Sequence, residues 1–183
     1  MTLRTSLAGV RAAVLTASER ASRGQGRDDS GDIIAAALLD AGAEIHARVL
    51  VPDDVSIIRG RLVALADQEG VELILTNGGS GLSPRDVTPE ATLAVVERLI
   101  PGIPEAARLA TLEKTPLAML SRAVAGVRGR TLIINLPGSP KAVREWLDVL
   151  LPVLPHAVDL IRGTVFEWGR PHGAADPPGR PGG

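Results

Sequence analysis

The residues best suited to chemistry lie in two short segments and at two isolated positions. NGGSGLSPRDVT, Asn77 to Thr88, sets Gly78, Gly79 and Gly81 around the hydroxyl of Ser80, then adds the guanidinium of Arg85 and the carboxylate of Asp86. Glycines let backbone N–H groups approach an oxyanion closely, and a helix opening at Thr88 and Pro89 contributes a partial positive charge of about half a unit. Pro137-Gly138-Ser139-Pro140-Lys141 repeats the combination of glycine, hydroxyl and cation ahead of another helix. This second segment suits phosphate contact better than proton transfer. Asp53, like Asp86, follows a predicted strand. Two such carboxylates at strand ends are candidate metal-associated groups. Ser18 offers a further hydroxyl after the first strand. Each feature also has a plainer role: a tight turn for the glycines, a turn for Asp53 beside the capping Asp54, an ion pair with Arg85 or a cap for Asp86, and a cap for Ser139.

Familiar nucleotide and hydrolase signatures do not fit. GxGxxG would start at Gly79 and meets Pro84 in its last position, G-x4-G-K-[ST] is absent, and Leu82 replaces the final glycine of GxSxG. The chain has no cysteine, which removes disulfides, thiolate metal sites and thiol nucleophiles, and His46, His156 and His172 are too dispersed to suggest zinc. Its 20 basic and 21 acidic residues form no basic run that could track a nucleic acid. With Trp146, Phe166 and Trp168 as the only aromatics, stacking on several rings is excluded as the main recognition device. No apolar run approaches the roughly 18 residues of a membrane span, and Met1 to Gly9 lacks the apolar region of a secretory signal, so a cytoplasmic location is expected.

These residues need a scaffold, and the hydrophobic pattern predicts one. Val10 to Thr16 reads as a strand, Ala17 to Asp29 as a loop, and Ser30 to Leu39 as a helix with Ile33, Ile34, Ala37 and Leu38 at helical spacing. Glu44 to Val51 is a second strand. Asp54 then caps a helix whose stripe is Val55, Ile58, Leu62 and Leu65. Val71 to Thr76 is a third strand, and Thr131 to Asn135 a further buried one. Thr88, as a hydroxyl N-cap with Pro89 at the first helical position, predicts a helix to about Leu99; Pro101 and Pro104 interrupt the helical pattern before another stretch through Glu113. Ser139 and Pro140 open a helix that turns Ala142, Val143, Trp146 and Leu147 inward. Repeated β-α units leading into further strands predict an α/β fold with right-handed crossovers and a mostly parallel sheet covered on both faces. The expected organisation is a flexible N-terminus over 1–9, one domain over 10–163 and a Pro/Gly-rich tail over 164–183.

The strings together resemble the Mog/MoaB family, whose central motif looks like T-x-GG-T-G-x-x-x-RD-x-TPEA. Here it stands as Thr76-Asn77-Gly78-Gly79-Ser80-Gly81, followed by Arg85-Asp86-Val87-Thr88-Pro89-Glu90-Ala91. The likeness continues at Ser18-Glu19-Arg20, Asp29-Ser30-Gly31, Val51-Pro52-Asp53-Asp54 and Leu136-Pro137-Gly138-Ser139-Pro140-Lys141, and spans about Val10 to Gly163. Two positions depart from it, since the family more often has Asp at Glu19 and Thr at Ser80. The resemblance implies a three-layer molybdopterin-binding fold and transfer of AMP from ATP to the terminal phosphate of molybdopterin, with Mg²⁺ and release of pyrophosphate. Asp53 and Asp86 match the positions associated with catalysis and metal. Ser18, Gly78, Gly79, Ser80, Gly81, Arg85, Thr88, Pro137, Gly138, Ser139 and Lys141 are the expected substrate and nucleotide contacts. It also implies a homotrimer or hexamer and hand-over of product to a molybdenum insertase. Within the same fold, a MoaB-like paralogue of different activity and a non-catalytic molybdopterin-binding or scaffold module are the competing functions.

Overall fold

In a computed structural model, residues 5–164 are described. Strand β1 (Arg11–Ala17) leads into a short helix α1 (Glu19–Ser22) and then α2 (Asp29–Asp40). Strand β2 (Glu44–Val51) follows, then α3 (Val55–Val63), a π-helical turn over Ala64–Gln68 and β3 (Leu73–Asn77). Helix α4 (Thr88–Leu93), β4 (Arg98–Leu99), α5 (Gly102–Leu112) and a 3₁₀ turn over Pro116–Leu120 precede β5 (Ala125–Arg128) and β6 (Thr131–Leu136). Helices α6 (Pro140–Leu150) and α7 (Leu154–Arg162) are the last elements among the described residues.

The six strands run in the order β2-β1-β3-β6-β5-β4. Neighbours from β2 to β6 are parallel, whereas β6–β5 and β5–β4 are antiparallel. Alternation along the central strands explains the three layers. Ala12 and Val14, Leu73 and Leu75, and Leu132, Ile134 and Leu136 face one core with Ile34, Leu38, Ala107, Val143, Trp146 and Leu150. Ala13, Leu15, Ile74 and Ile133 face the other, against Ile58, Leu62, Leu65 and Ala91. A strand covered on both faces is mostly apolar, which is why LILTN and TLIINL carry long hydrophobic runs broken only by hydrogen-bonded polar side chains such as Asn135.

Several predicted boundaries move. The helix after Thr88 stops at Leu93 instead of reaching Leu99. The Glu97 N–H donates to the Val127 carbonyl and the Ile100 N–H to that of Ala125, both at 2.8 Å. A strand distant in sequence captures this backbone, and it overrides the local helical pattern. Val87 is the N-cap of α4 without a side-chain bond, and Thr88, expected as the cap, is already helical. Pro104 does not interrupt a helix but lies in the first turn of α5. Asp28 caps α2 by accepting from the Gly31 N–H at 2.9 Å. Leu7, in the segment assigned to a flexible N-terminus, is fully buried, and its N–H donates to the Ala41 carbonyl at 2.8 Å. Apart from Thr164, the expected tail lies outside the described residues. No helix among them is long and apolar enough to cross a membrane.

Candidate active site

Thr16 pairs with Asn77, and Asn77 with Leu136, so the C-terminal ends of β1, β3 and β6 are level. The chain leaves β1 for β2 on one side and later returns to β3 on the other, which opens a crevice between β1 and β3. The glycine loop fills the rim of that crevice. Gly78 has φ +82°, and a Cβ there would meet the Ala17 carbonyl oxygen at 2.3 Å, so only glycine fits. Gly138 packs on it, with the position of its missing Cβ 3.3 Å from the Gly78 Cα.

This neck separates two clefts. The larger, about 530 Å³, is lined by Gly79, Ser80, Gly81 and Asp86 on one side, by Pro137, Gly138, Ser139 and Lys141 on another, and by the 3₁₀ turn and Trp146. The smaller, about 320 Å³, is lined by Thr16, Ser18, Arg27, Asp28, Asn77 and Gly78 among others. Its polar wall is pre-ordered. The Asn77 amide donates to the Thr16 hydroxyl at 2.7 Å, and that hydroxyl donates to the Asp28 carboxylate at 2.8 Å. The Ser30 hydroxyl ties α2 to the second loop by donating to the Gly138 carbonyl at 2.8 Å.

The two candidate carboxylates approach the same loop. Asp53 Oδ1 lies 3.4 Å from where a Cβ of Gly79 would stand, and Asp86 Oδ2 lies 2.9 Å from the equivalent point at Gly81. Asp53 is oriented by the Glu19 N–H, which donates to Oδ2 at 3.0 Å. The extra methylene of Glu19 leaves this contact intact, because the backbone makes it while the side chain pairs with Arg23 at 2.5 Å. Asp86 is oriented by the Ser83 N–H at 2.8 Å and makes no ion pair with Arg85 among the described contacts. Two carboxylates approaching one glycine loop fit the donor set Mg²⁺ prefers. The described residues contain no cluster of three or more His, Cys, Asp or Glu side chains that could hold a metal without a substrate.

Other expected contacts divide between wall and support. Ser18 caps α1 through the Ala21 N–H at 3.2 Å while also lining the smaller cleft, and Ser139 caps α6 through the Ala142 N–H at 3.3 Å while lining the larger. The Ser80 hydroxyl donates to the Leu136 carbonyl at 3.3 Å. Thr88 is buried and donates to the Gly78 carbonyl at 2.9 Å, so it braces the loop from behind. Arg85 is exposed and is not among the residues lining either cleft, and Arg20 bends back to the Gln25 carbonyl at 3.1 Å.

Arg122 is the residue that sequence reading missed. Its guanidinium donates to the Gly81 carbonyl at 2.6 Å, to the Asp86 carbonyl at 2.5 Å and to the Glu90 carboxylate, and its N–H donates to the Ser80 carbonyl at 2.9 Å. One side chain thus clamps the loop between Ser80 and Glu90. The hydrogen bond from Arg122 holds the Glu90 carboxyl below its usual range, against the opposite pull of partial burial. No local motif signals this, since the bonded groups lie 32 to 42 residues away in the chain.

The parallel sheet, the switch-point crevice and the glycine loop together define an α/β protein built to bind phosphorylated ligands at the carboxyl ends of its strands. More specifically, the chain belongs to the family described as "Probable molybdopterin binding domain", whose family model matches residues 13–156. It is 41% identical over 158 residues to a molybdopterin adenylyltransferase of Helicobacter pylori strain J99, covering 84% of this chain and 89% of that one. Among solved structures it is similar to the molybdopterin biosynthesis enzyme MoaB of Thermus thermophilus, with 52% identity, TM-score 0.80 and coverage of 84% and 97%. A bifunctional molybdenum cofactor biosynthesis protein of Synechococcus elongatus is 40% identical, and the match spans 87% of this chain but 50% of that protein.

Proposed function

We propose that the protein acts in molybdenum cofactor biosynthesis by transferring AMP from ATP to the terminal phosphate of molybdopterin. A phosphate oxygen of the pterin forms a bond to the α-phosphorus of ATP, the bond from that phosphorus to the bridging oxygen breaks, and pyrophosphate leaves. Both reactants are anions, so rate enhancement comes mainly from alignment and charge neutralisation. The observation that supports this reading is the placement of Asp86 at Gly81, on the wall of a cleft large enough for an organic phosphate, with Asp53 reaching the same loop at Gly79 although it lines neither cleft. The backbone of Gly78 to Gly81, the hydroxyls of Ser18, Ser80 and Ser139, and the cation of Lys141 are the proposed contacts to nucleotide and pterin phosphates; Arg85, exposed outside both clefts, is proposed to meet phosphate only where a bound ligand extends beyond them. Thr88, Pro137 and Gly138 keep those contacts in register. Asp53 and Asp86 would hold Mg²⁺, which when bound neutralises phosphate charge and draws electrons from the reacting phosphorus.

The protein is further proposed to work in the cytoplasm as a homotrimer or hexamer. The exposed apolar side chains Leu109, Leu112 and Met119 on and beside α5 support an assembly face. Hand-over of the adenylated pterin to an insertase is supported by the relative that carries a second unit on the same chain. Retention of both aspartates favours a catalyst over a binding scaffold or an inactive paralogue. Purified protein incubated with molybdopterin, ATP and Mg²⁺ should yield adenylated pterin and pyrophosphate, read by mass spectrometry. Absence of product with every divalent cation tried, while molybdopterin still binds, would leave the binding-module reading.

A further inference from the structure

Glu145 lines the larger cleft from helix α6, one turn beyond Lys141, and no step proposed above uses it. Its side chain is only 13% exposed, and its one ion pair among the described residues is a long one, 3.8 Å to Lys114, whose own side chain is half exposed. A carboxylate so far removed from water ordinarily has two or more close donors. Here the surroundings supply few. The cleft is also lined by Trp146, Ala142, Leu117 and Leu120 and by Thr111 and Thr115, and the Thr111 hydroxyl is already committed to the Ala107 carbonyl at 2.8 Å.

We infer that Glu145 is a specificity-determining residue that accepts the paired N–H donors of a 2-amino-4-oxopyrimidine ring, the head of a pterin. That inference rests on the reading of the cleft as a molybdopterin site. The 2-amino group and the adjacent ring N3–H present two donors side by side, spaced for the two oxygens of one carboxylate, as a guanidinium is. Adenine presents an amino donor beside a ring acceptor and would set a lone pair against the carboxylate, so Glu145 also rejects the nucleotide base from this cleft. The apolar wall then packs on the faces of the pterin ring while its phosphate extends towards Ser139, Lys141 and the glycine loop.

A change of ligand preference tests this more sharply than a loss of activity. The probes are 6-hydroxymethylpterin phosphate and its 2-oxo counterpart, the corresponding lumazine phosphate, each titrated by calorimetry. The wild-type protein should bind the pterin at least about tenfold more tightly, because the 2-oxo compound opposes an acceptor to a charged acceptor. Glu145→Gln should reverse the order, since a carboxamide offers one donor and one acceptor that match the 2-oxo and N3–H groups. Glu145→Asp, which retains the charge but withdraws it by a methylene, should weaken pterin binding and preserve the preference, and it serves if the glutamine variant does not fold. MgATP affinity and melting temperature should stay unchanged in both variants. Equal binding of the two probes by wild type, or a pterin preference retained by Glu145→Gln, would overturn the assignment of Glu145 while leaving phosphoryl transfer standing. Failure of wild type to bind either probe would overturn both.

Discussion

Gly81→Ala tests whether Asp86 must stand where it does. Gly81 has no left-handed backbone, so alanine introduces no strain of that kind. The new Cβ would stand 2.9 Å from Asp86 Oδ2. An ordinary carbon–oxygen contact is about 3.3–3.6 Å, so the carboxylate must retreat by roughly half an ångström. It is the far end of a side chain and can do so at the expense of its bond from the Ser83 N–H, an exposed interaction worth about 1 kcal/mol or less. The loss is partly offset, because alanine restricts the unfolded chain by about 0.4–1 kcal/mol relative to glycine. Stability should therefore change by less than about 1 kcal/mol. Misplacing a reacting or metal-holding group by about 1 Å can cost about a hundredfold in rate, so half that displacement predicts roughly a tenfold fall in turnover. Gly79→Ala is the internal contrast. Its φ is +60°, and its Cβ would lie 2.6 Å from the buried Thr88 hydroxyl that holds the Gly78 carbonyl. Left-handed strain of about 1–2 kcal/mol and a lost hydrogen bond of about 1 kcal/mol predict destabilisation by about 2–3 kcal/mol. Calorimetric melting and pyrophosphate release should be recorded on the same samples. If Gly81→Ala acts through Asp86, combining it with Asp86→Asn should cost little more than Asp86→Asn alone. A folded Gly81→Ala protein at full turnover, or one whose effect multiplies with Asp86→Asn, would refute the reasoning.

Asp86→Asn and Asp53→Asn should each lower turnover at least about a hundredfold with little change in melting, and a double variant that loses far less than the product would place both on one metal. Full multiplicativity in steady-state kinetics would assign them separate roles. Arg122→Ala should raise the apparent KM at least about tenfold as the Gly81 and Asp86 carbonyls lose their donors, with Arg122→Lys recovering part of the loss; an unchanged KM would show that the clamp is dispensable. At the opposite end of the sheet, Arg162 donates to both oxygens of Glu72 at 2.6 Å, and this bonding outweighs burial to hold the Glu72 carboxyl below 4.5. The folded value being the lower one, its stabilisation is complete above about 4.5 and declines as pH falls through the folded value. The melting-temperature gap between wild type and Glu72→Gln should therefore narrow from pH 7 to pH 3, and a constant gap would exclude the linkage.

Much of this architecture is written in local pattern. A strand covered on both faces is largely apolar, so the runs Leu73–Leu75 and Leu132–Ile134 declare themselves without any knowledge of their partners. Asp54 and the pair Ser139 and Pro140 mark helix starts because capping involves groups only a few residues apart. Gly78 and Gly79 are legible for a similar reason, since a left-handed backbone at the end of a buried strand leaves little choice of residue. What escapes is decided by groups distant in the chain. The helical pattern after Thr88 is real, yet the amides of Glu97 and Ile100 go to the carbonyls of Val127 and Ala125 and turn its end into a strand. Thr88 carries a capping signature and spends its hydroxyl on Gly78 instead. Arg122 is one arginine among many until the fold brings it against Gly81, Asp86 and Glu90. Propensity, periodicity and capping act over at most a few turns and leave their record in adjacent letters. The clamp on the loop, the aim of Asp53 along the Glu19 amide and the enclosure of Glu145 depend on which surfaces the packed sheet brings together, and only the tertiary structure decides that.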